Sequence, residues 1–208
     1  MRANLSVETL ITAYSRGIFP MADADGEVRW YEADPRGILP LDAIHIPHDL
    51  KRLLRQNRFR VTLDQDFEAV IRACADRPEP TWISEEIIEA YLRLHHAGYA
   101  HSVETWRDDR LAGGLYGVAL GAAFFGESMF YRQRDASKVA LVHLAFWLKK
   151  CDFKLLDIQM VTDVLRRFGA VHISKQDYLD RLHKAIYLQR HLRAVPIDWK
   201  HELAPSSP

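Results

Sequence analysis

Cysteine is almost missing from this chain: Cys74 and Cys151 are the only two among 208 residues. Two thiols cannot build a disulfide framework, and neither has the nearby second ligand that a zinc site requires, so both read as core thiols. Net charge is missing too. The 28 Lys and Arg residues balance the 28 Asp and Glu residues, which excludes a chain coated in nucleic acid and leaves room for a local basic patch. No apolar run approaches the ~20 residues needed to cross a bilayer. The stretch from Met1 to Phe19 lacks the uninterrupted apolar core of a signal peptide. These absences predict a cytoplasmic protein with no membrane partner. Internal repeats and low-complexity tracts are also lacking.

What is present is an ordinary globular composition, 48% hydrophobic and 27% charged, at a length that suits one domain or one domain with a small accessory piece. Ser6 is placed to cap a helix from Val7 to Arg16 that Gly17 stops. Residues 21 to 40 carry Trp30-Tyr31 and a turn at Asp34-Pro-Arg-Gly37, and read as a small lid or adaptor. A short helix is predicted over His48 to Gln56, a strand over Phe59 to Leu63, a helix capped by Asp64, and a further helix opened by Ser84. Ile87, Ile88, Tyr91, Leu92 and His95 share one face of that last helix.

From residue 100 the pattern becomes an antiparallel meander: Ser102 to Trp106, a polar turn, Leu111 to Leu120, then Ala122 to Phe125. Gly113, Gly114 and Gly117 predict a bulge or a close backbone approach. A long helix starting at Asp135 or Ser137 runs to Lys150, Lys154 to Gln159 is a buried strand, and two more helices finish the chain. This order predicts an α+β fold with the meander and the last strand in one sheet and helices over it. The tail from Ala204 to Pro208 is expected to be mobile.

The densest polar constellation is Glu127 and Ser128, placed just past an apolar run, with Asp157 and Gln159 at the end of another. Residues two apart on a strand share a face, so a neighbouring strand could bring Glu127 beside Asp157 and Gln159 to form an acidic pocket. The competing reading makes Glu127 a loop cap and the other two partners of buried backbone groups. No Ser-His-Asp or Cys-His set is apparent, and the ten histidines show no metal signature. The helix start at Asp135 could receive an anion or be an ordinary capped terminus. Lys51, Arg52, Arg55 and Arg58 form a basic run that could track phosphates or simply be a solvated face. Trp30, Trp82 and Trp106 are platforms for bases or core residues.

Taken together, Ala13-Tyr-Ser-Arg-Gly-Ile-Phe-Pro20, Trp30-Tyr-Glu-Ala-Asp-Pro-Arg36, Thr81-Trp-Ile83, Gly113-Gly-Leu-Tyr-Gly117, Phe125-Gly-Glu-Ser-Met-Phe130, Asp135-Ala-Ser-Lys138 and Asp157-Ile-Gln159 resemble the leucyl/phenylalanyl-tRNA–protein transferases in order and spacing, from about Leu5 to about Ile186. The resemblance implies a small N-terminal domain, residues 1 to 34, joined to a domain of residues 35 to 208 like the Gcn5-related N-acetyltransferases, with a mixed sheet covered by helices. It implies transfer of Leu or Phe, and less well Met, from aminoacyl-tRNA to the N-terminal α-amine of proteins beginning with Arg or Lys, which feeds N-degron protein degradation. Neither metal nor cofactor is implied, and a monomer is expected.

The resemblance also distributes roles. It makes Glu127, Asp157 and Gln159 catalytic: Gln159, oriented by Asp157, contacts the attacking amine, and Glu127 holds the cationic acceptor or the reacting ester. Leu115, Phe124, Leu141, Leu144, Leu148 and Leu156 match the pocket for the transferred side chain; beside these roles, Trp82 is expected to line the site for the aminoacylated adenosine, supported by Tyr91 on the same helix. The basic run of Lys51, Arg52, Arg55 and Arg58, read from the residues themselves, is expected to bind the tRNA at its acceptor stem. Three departures stand out: the sequence starts later than the family pattern, Met21 replaces an aromatic, and Val164 replaces a histidine. They imply weaker stacking on the terminal adenosine or an altered acceptor preference. The competing classes are a coenzyme-A-dependent N-acetyltransferase, which fold analogy alone would suggest, and a non-catalytic tRNA-binding protein.

Overall fold

A computed structural model describes residues 5–78 and 81–204. The tail at 205–208 expected to be mobile lies outside the described residues, as do 1–4 of the leader reading. Helix α1 (Val7–Ser15) is capped by the Ser6 hydroxyl, which accepts from the Thr9 N–H, a contribution of about 1 kcal/mol. Gly17, at φ 75°, ends it. A hairpin, β1 (Phe19–Ala22) and β2 (Val28–Tyr31), follows. The chain continues through β3 (Arg36–Ile38), α2 (His48–Arg55), β4 (Arg60–Leu63), α3 (Phe67–Ala75), α4 (Glu85–His96), β5 (Ala100–Arg107), β6 (Arg110–Leu120), β7 (Ala123–Tyr131), α5 (Ala136–Lys150), β8 (Leu155–Gln159), α6 (Asp163–Arg166), β9 (Val171–Ile173), α7 (Lys175–Ile186) and α8 (Trp199–Glu202).

The seven-stranded sheet has the order β4-β5-β6-β7-β8-β3-β9. Its pairs are antiparallel except β7 with β8, which run parallel. The expected mixed α+β architecture, with meander and last strand in one sheet under helices, is what the chain adopts. Alternation along the strands feeds two cores. Tyr116, Ala123, Phe125 and Leu155 pack with α1, α3, α4 and α7, while Leu115, Phe124 and Leu156 pack with α2, α5 and α8. Among the described residues no helix is long and apolar enough to cross a membrane. Cys74 and Cys151 are free and buried, and burial pushes the Cys74 thiol up to about 12.

Several local expectations change. Asp66, not Asp64, caps α3 by accepting from the Ala69 N–H. Asp64 adopts a left-handed φ of 57° and turns its carboxylate to the Ser102 N–H and to His101 instead. The turn at residues 34–37 runs straight into β3, and β9 was not foreseen, because three-residue strands are too short to show a period. The end of the chain holds α6, α7 and α8 rather than two helices. Strand β7 runs through Glu127 to Tyr131, so Glu127 does not lie past a strand end. Trp82 precedes α4 and is not on the same helix as Tyr91. At the start of α5, Asp135 sits in the left-handed region without a capping bond and holds Lys138 Nζ at 2.7 Å.

Candidate active site

The site begins with an irregularity in the meander. Gly117 pairs with Gly126 and Tyr116 with Ser128, leaving Glu127 as the extra residue of a β-bulge. Gly117 has to be glycine, since a Cβ there would run into the Phe125 carbonyl. A bulge redirects a side chain that regular alternation would have buried or exposed, and here it turns Glu127 into a cleft. That cleft opens where β7 and β8 part company: their pairing ends at Phe125 with Asp157, after which β8 continues beside β3.

The resulting cavity measures about 360 Å³. Leu115, Leu141, Leu144, Leu156 and Ile158, from the core under α5, line one part of it; Phe19 and Met21 of β1, with Trp82, line another. Glu127, Ser128 and Gln159 supply polar groups, and Arg77 is a rim cation.

Behind the wall sits Asp157, fully buried and fully partnered. Arg36 grips it with two bonds, Nε to Oδ1 at 2.9 Å and a terminal nitrogen to Oδ2 at 2.6 Å. The Tyr178 hydroxyl donates to Oδ2 at 2.6 Å, and the Gln159 backbone N–H donates to Oδ1 at 2.8 Å. Arg36 is 1% exposed, donates also to the Gly17 carbonyl at 2.9 Å, and lies between the Phe19 and Tyr178 rings at 4.9 and 4.5 Å. Burial disfavours the guanidinium charge, but the Asp157 carboxylate more than reverses this and raises its pKa. Burial, reinforced by Asp157, also raises the Tyr178 pKa. Gln159 has φ 54°, a left-handed conformation unusual for a long side chain, and the Asp157–amide bond pins it there. Asp157 therefore orients Gln159 through its backbone.

Glu127 has a thinner set of partners. Tyr91 Oη donates to Oε2 at 3.3 Å and Gln159 Nε2 to Oε1 at 3.2 Å. The Tyr91 hydroxyl also bonds that of Tyr14. Among the described residues no cation forms an ion pair with Glu127; the nearest buried one, Arg36, is committed to Asp157. Burial, with added repulsion from Asp157, pushes the Glu127 carboxyl up to about 7, against the pull of the Tyr14 and Tyr91 hydroxyls and of Arg36. Its side chain is half-buried only because it faces the cavity. Tyr14 and Tyr91 are raised well above the usual phenol value, chiefly by burial, and stay protonated donors. Facing a carboxylate, the Gln159 amide must present its NH2, which leaves its carbonyl oxygen without a partner among the described residues.

Of the residues singled out in the sequence, Glu127, Gln159, Trp82, Leu115, Leu141, Leu144 and Leu156 line this one cavity. Phe124 and Leu148 are fully buried in the core beneath α5 and do not reach it. Tyr91 lies behind Glu127 and Asp157 behind Gln159. Lys51, Arg52, Arg55 and Arg58 lie on or just after α2, away from the cavity lining, and Arg55 donates to the Leu203 carbonyl at 2.6 Å. Trp30 packs against the first core, and Trp106 donates to Thr62. Sequence reasoning missed Arg36, Tyr14, Tyr178, Phe19 and Arg77. Arg36, Tyr14 and Phe19 fall inside segments that carried the resemblance, yet nothing local in an arginine announces a carboxylate 121 residues away. Among the described residues no group of three or more His, Cys, Asp or Glu is arranged to hold a metal ion.

Two family models cover most of the chain: leucyl/phenylalanyl-tRNA protein transferase over residues 38–183, and the N-terminal domain of the same family over 3–34. A leucyl/phenylalanyl-tRNA–protein transferase of Paramagnetospirillum magneticum is 55% identical over 188 residues, covering 88% of this chain and 90% of that protein. One from Rubrobacter xylanophilus is 56% identical over 187 residues, covering 89% and 97%. Among solved structures, a ribosomal-protein-alanine N-acetyltransferase from Brucella melitensis biovar Abortus 2308 aligns with 52% of this chain and 86% of its own at 16% identity and TM-score 0.37, a likeness too slight to carry the fold description, which rests on the sheet itself.

Proposed function

This chain belongs to the leucyl/phenylalanyl-tRNA protein transferase family, and from that premise we propose that it moves Leu or Phe, and less readily Met, from aminoacyl-tRNA onto the N-terminal α-amine of proteins beginning with Arg or Lys, marking them in the cytoplasm for N-degron degradation. The observation that carries the reading is one carboxylate, Glu127, without a cationic partner among the described residues, beside the Gln159 amide in a leucine-lined cavity. An acceptor that arrives with a positive N-terminus supplies the missing cation.

The donor is an activated ester, so the chemistry needs positioning and a place for a proton. An α-ammonium titrates near ~8. Handing its proton to an ordinary glutamate, at about 4.3, is uphill by roughly 5 kcal/mol. To Glu127, pushed up to about 7, the climb is only about 1.4 kcal/mol. Glu127 takes the proton, and the free Gln159 carbonyl oxygen accepts a second amine N–H and aims the lone pair at the ester carbon. The new C–N bond forms, the C–O bond to the ribose breaks, and the proton on Glu127 passes to the departing ribose oxygen. The carboxylate so freed takes the second proton from the nitrogen, leaving the neutral amide, and releases it to solvent, so that the ammonium's two lost protons end on the ribose hydroxyl and in water.

The unbranched-at-β side chain of Leu or Phe enters among Leu115, Leu141, Leu144 and Leu156. Such a pocket discriminates by roughly 1–3 kcal/mol per methylene, which makes Met a secondary donor and Val or Ile poor ones. The unit at 1–34 lends Phe19 and Met21 to the cavity, and the α2 cations meet the tRNA backbone outside it. The test is incubation with an Arg-initiated peptide and either labelled Leu-tRNA or labelled acetyl-coenzyme A. Label from Leu-tRNA on the peptide α-amine is the expected result; transfer from acetyl-coenzyme A alone, or from neither, would refute the reading.

A further inference from the structure

Beside Glu127, Arg77 is the charged residue lining the cavity, and the reaction has so far no use for it. It lies between α3 and α4, five positions before Trp82, and both line the opening. Its guanidinium is fixed from below: Nε donates to the Cys74 carbonyl at 2.8 Å, and one terminal nitrogen donates to Ser128 Oγ at 2.5 Å and to the Met129 carbonyl at 3.3 Å. The other terminal nitrogen has no hydrogen-bond partner among the described residues, and no carboxylate there pairs with the group. By contrast Arg29, Arg36, Arg72 and Arg190 are all in ion pairs. An arginine held rigid by three acceptors, with its remaining N–H donors and its whole charge left over, is prepared for an anion.

Its position restricts which anion. Ser128 is the residue after Glu127 on β7, so Arg77 is fastened to the strand position next to the carboxylate where the ester reacts, without pairing with it. A cationic acceptor is repelled by Arg77 and drawn to Glu127, whereas the donor carries a phosphate on the same nucleoside as the ester. Resting on the function proposed above, we infer that Arg77 binds the 5′-phosphate of the terminal aminoacylated adenosine, with the adenine on Trp82 and the acyl side chain among the leucines. The donor is then gripped at three points: phosphate, base and side chain.

The test uses two minimal donors, 3′-O-phenylalanyl-adenosine and its 5′-monophosphate, with an Arg-initiated peptide, and reads the ratio of their kcat/KM values. Transfer from full-length Phe-tRNA by the wild-type protein is measured alongside, so that failure of the function is told apart from failure of the phosphate site. The wild type should prefer the phosphorylated donor roughly tenfold or more, as charge-assisted hydrogen bonds allow, mainly through KM and less so at high salt. In Arg77→Gln the ratio should fall to near unity, and Arg77→Lys should restore part of it as a point charge without the fork. If Arg77 only ties α3 to β7, the Gln variant will use both donors less well and keep the wild-type ratio, which overturns the inference. Equal use of the two donors by a wild type active on Phe-tRNA overturns it too.

Discussion

Asp157 and Glu127 stand on neighbouring strands and share Gln159, yet they are opposite in kind. Asp157 is sealed from solvent, accepts four hydrogen bonds and neutralises the buried Arg36. Glu127 accepts two long bonds, pairs with no cation among the described residues, faces the cavity, and is pushed up to about 7 chiefly by burial. A carboxylate whose lone pairs are all committed has nothing left for a substrate. On the proposed mechanism Asp157 builds the site and Glu127 works in it, although in the sequence both are simply acidic residues at the ends of apolar runs.

The largest effect should come from breaking the committed carboxylate. Asp157→Ala leaves Arg36 charged and unpaired in the core, a loss of about 3–5 kcal/mol of stability, to be read as a lower urea midpoint; activity then falls because the protein unfolds and Gln159 loses its anchor. Glu127→Gln should do the reverse: stability equal to or above wild type, with kcat for transfer reduced by about 10²–10⁴, the usual worth of a general base. A catalytically dead Asp157→Ala of unchanged stability, or a destabilised Glu127→Gln, would erase the contrast.

Linkage sharpens it. A carboxyl raised in the folded state binds its proton there more tightly than in the unfolded chain, so its contribution to stability is fullest below the unfolded value and is lost as pH rises through the folded one. For Glu127 that window runs from about 4.5 to about 7. Wild type should lose stability relative to Glu127→Gln across that window and keep a constant difference above it, as followed by thermal melts at stepped pH. A smaller effect is expected from Tyr91→Phe. It removes a hydroxyl that lowers the Glu127 pKa, so the acid limb of transfer should move to higher pH while the plateau changes little. The smallest local effect should come from α2. Arg52→Gln with Arg55→Gln should lower the salt slope of tRNA binding by up to about 0.9 for each phosphate that is no longer neutralised, leaving transfer from phenylalanyl-adenosine as it was.

Much of the scaffold was legible because its signals are local. Ser6 and Ser84 cap the helices they precede, and the meander shows in strand alternation broken by a polar turn. Gly117 reads as a close approach and proves to face the bulge. Leu115, Leu141, Leu144 and Leu156 are indistinguishable from core in periodicity, and the family resemblance alone marked them as cavity wall. What stayed hidden depends on distance in sequence or on a single displaced residue. The Arg36–Asp157 pair spans 121 positions, Tyr14 reaches Tyr91 across 77, and nothing in Phe125-Gly-Glu-Ser-Met-Phe130 marks the bulge at Glu127 or the continuation of β7 to Tyr131. The cap moved from Asp64 to Asp66 because both are aspartates before the same helix, and only packing against Ser102 decides between them.

The division of labour between the two carboxylates is tested most directly by the pH dependence of single-turnover transfer from Phe-tRNA to a saturating Arg-initiated peptide, in wild type and Glu127→Gln. The acceptor amine contributes its own ionisation near ~8 to both proteins. Wild type should show in addition an acid limb near pH 7, where Glu127 titrates, and Glu127→Gln should lack that limb and be slow at every pH. A Glu127→Gln protein that keeps the limb near pH 7 would place the proton on another group and contradict the account.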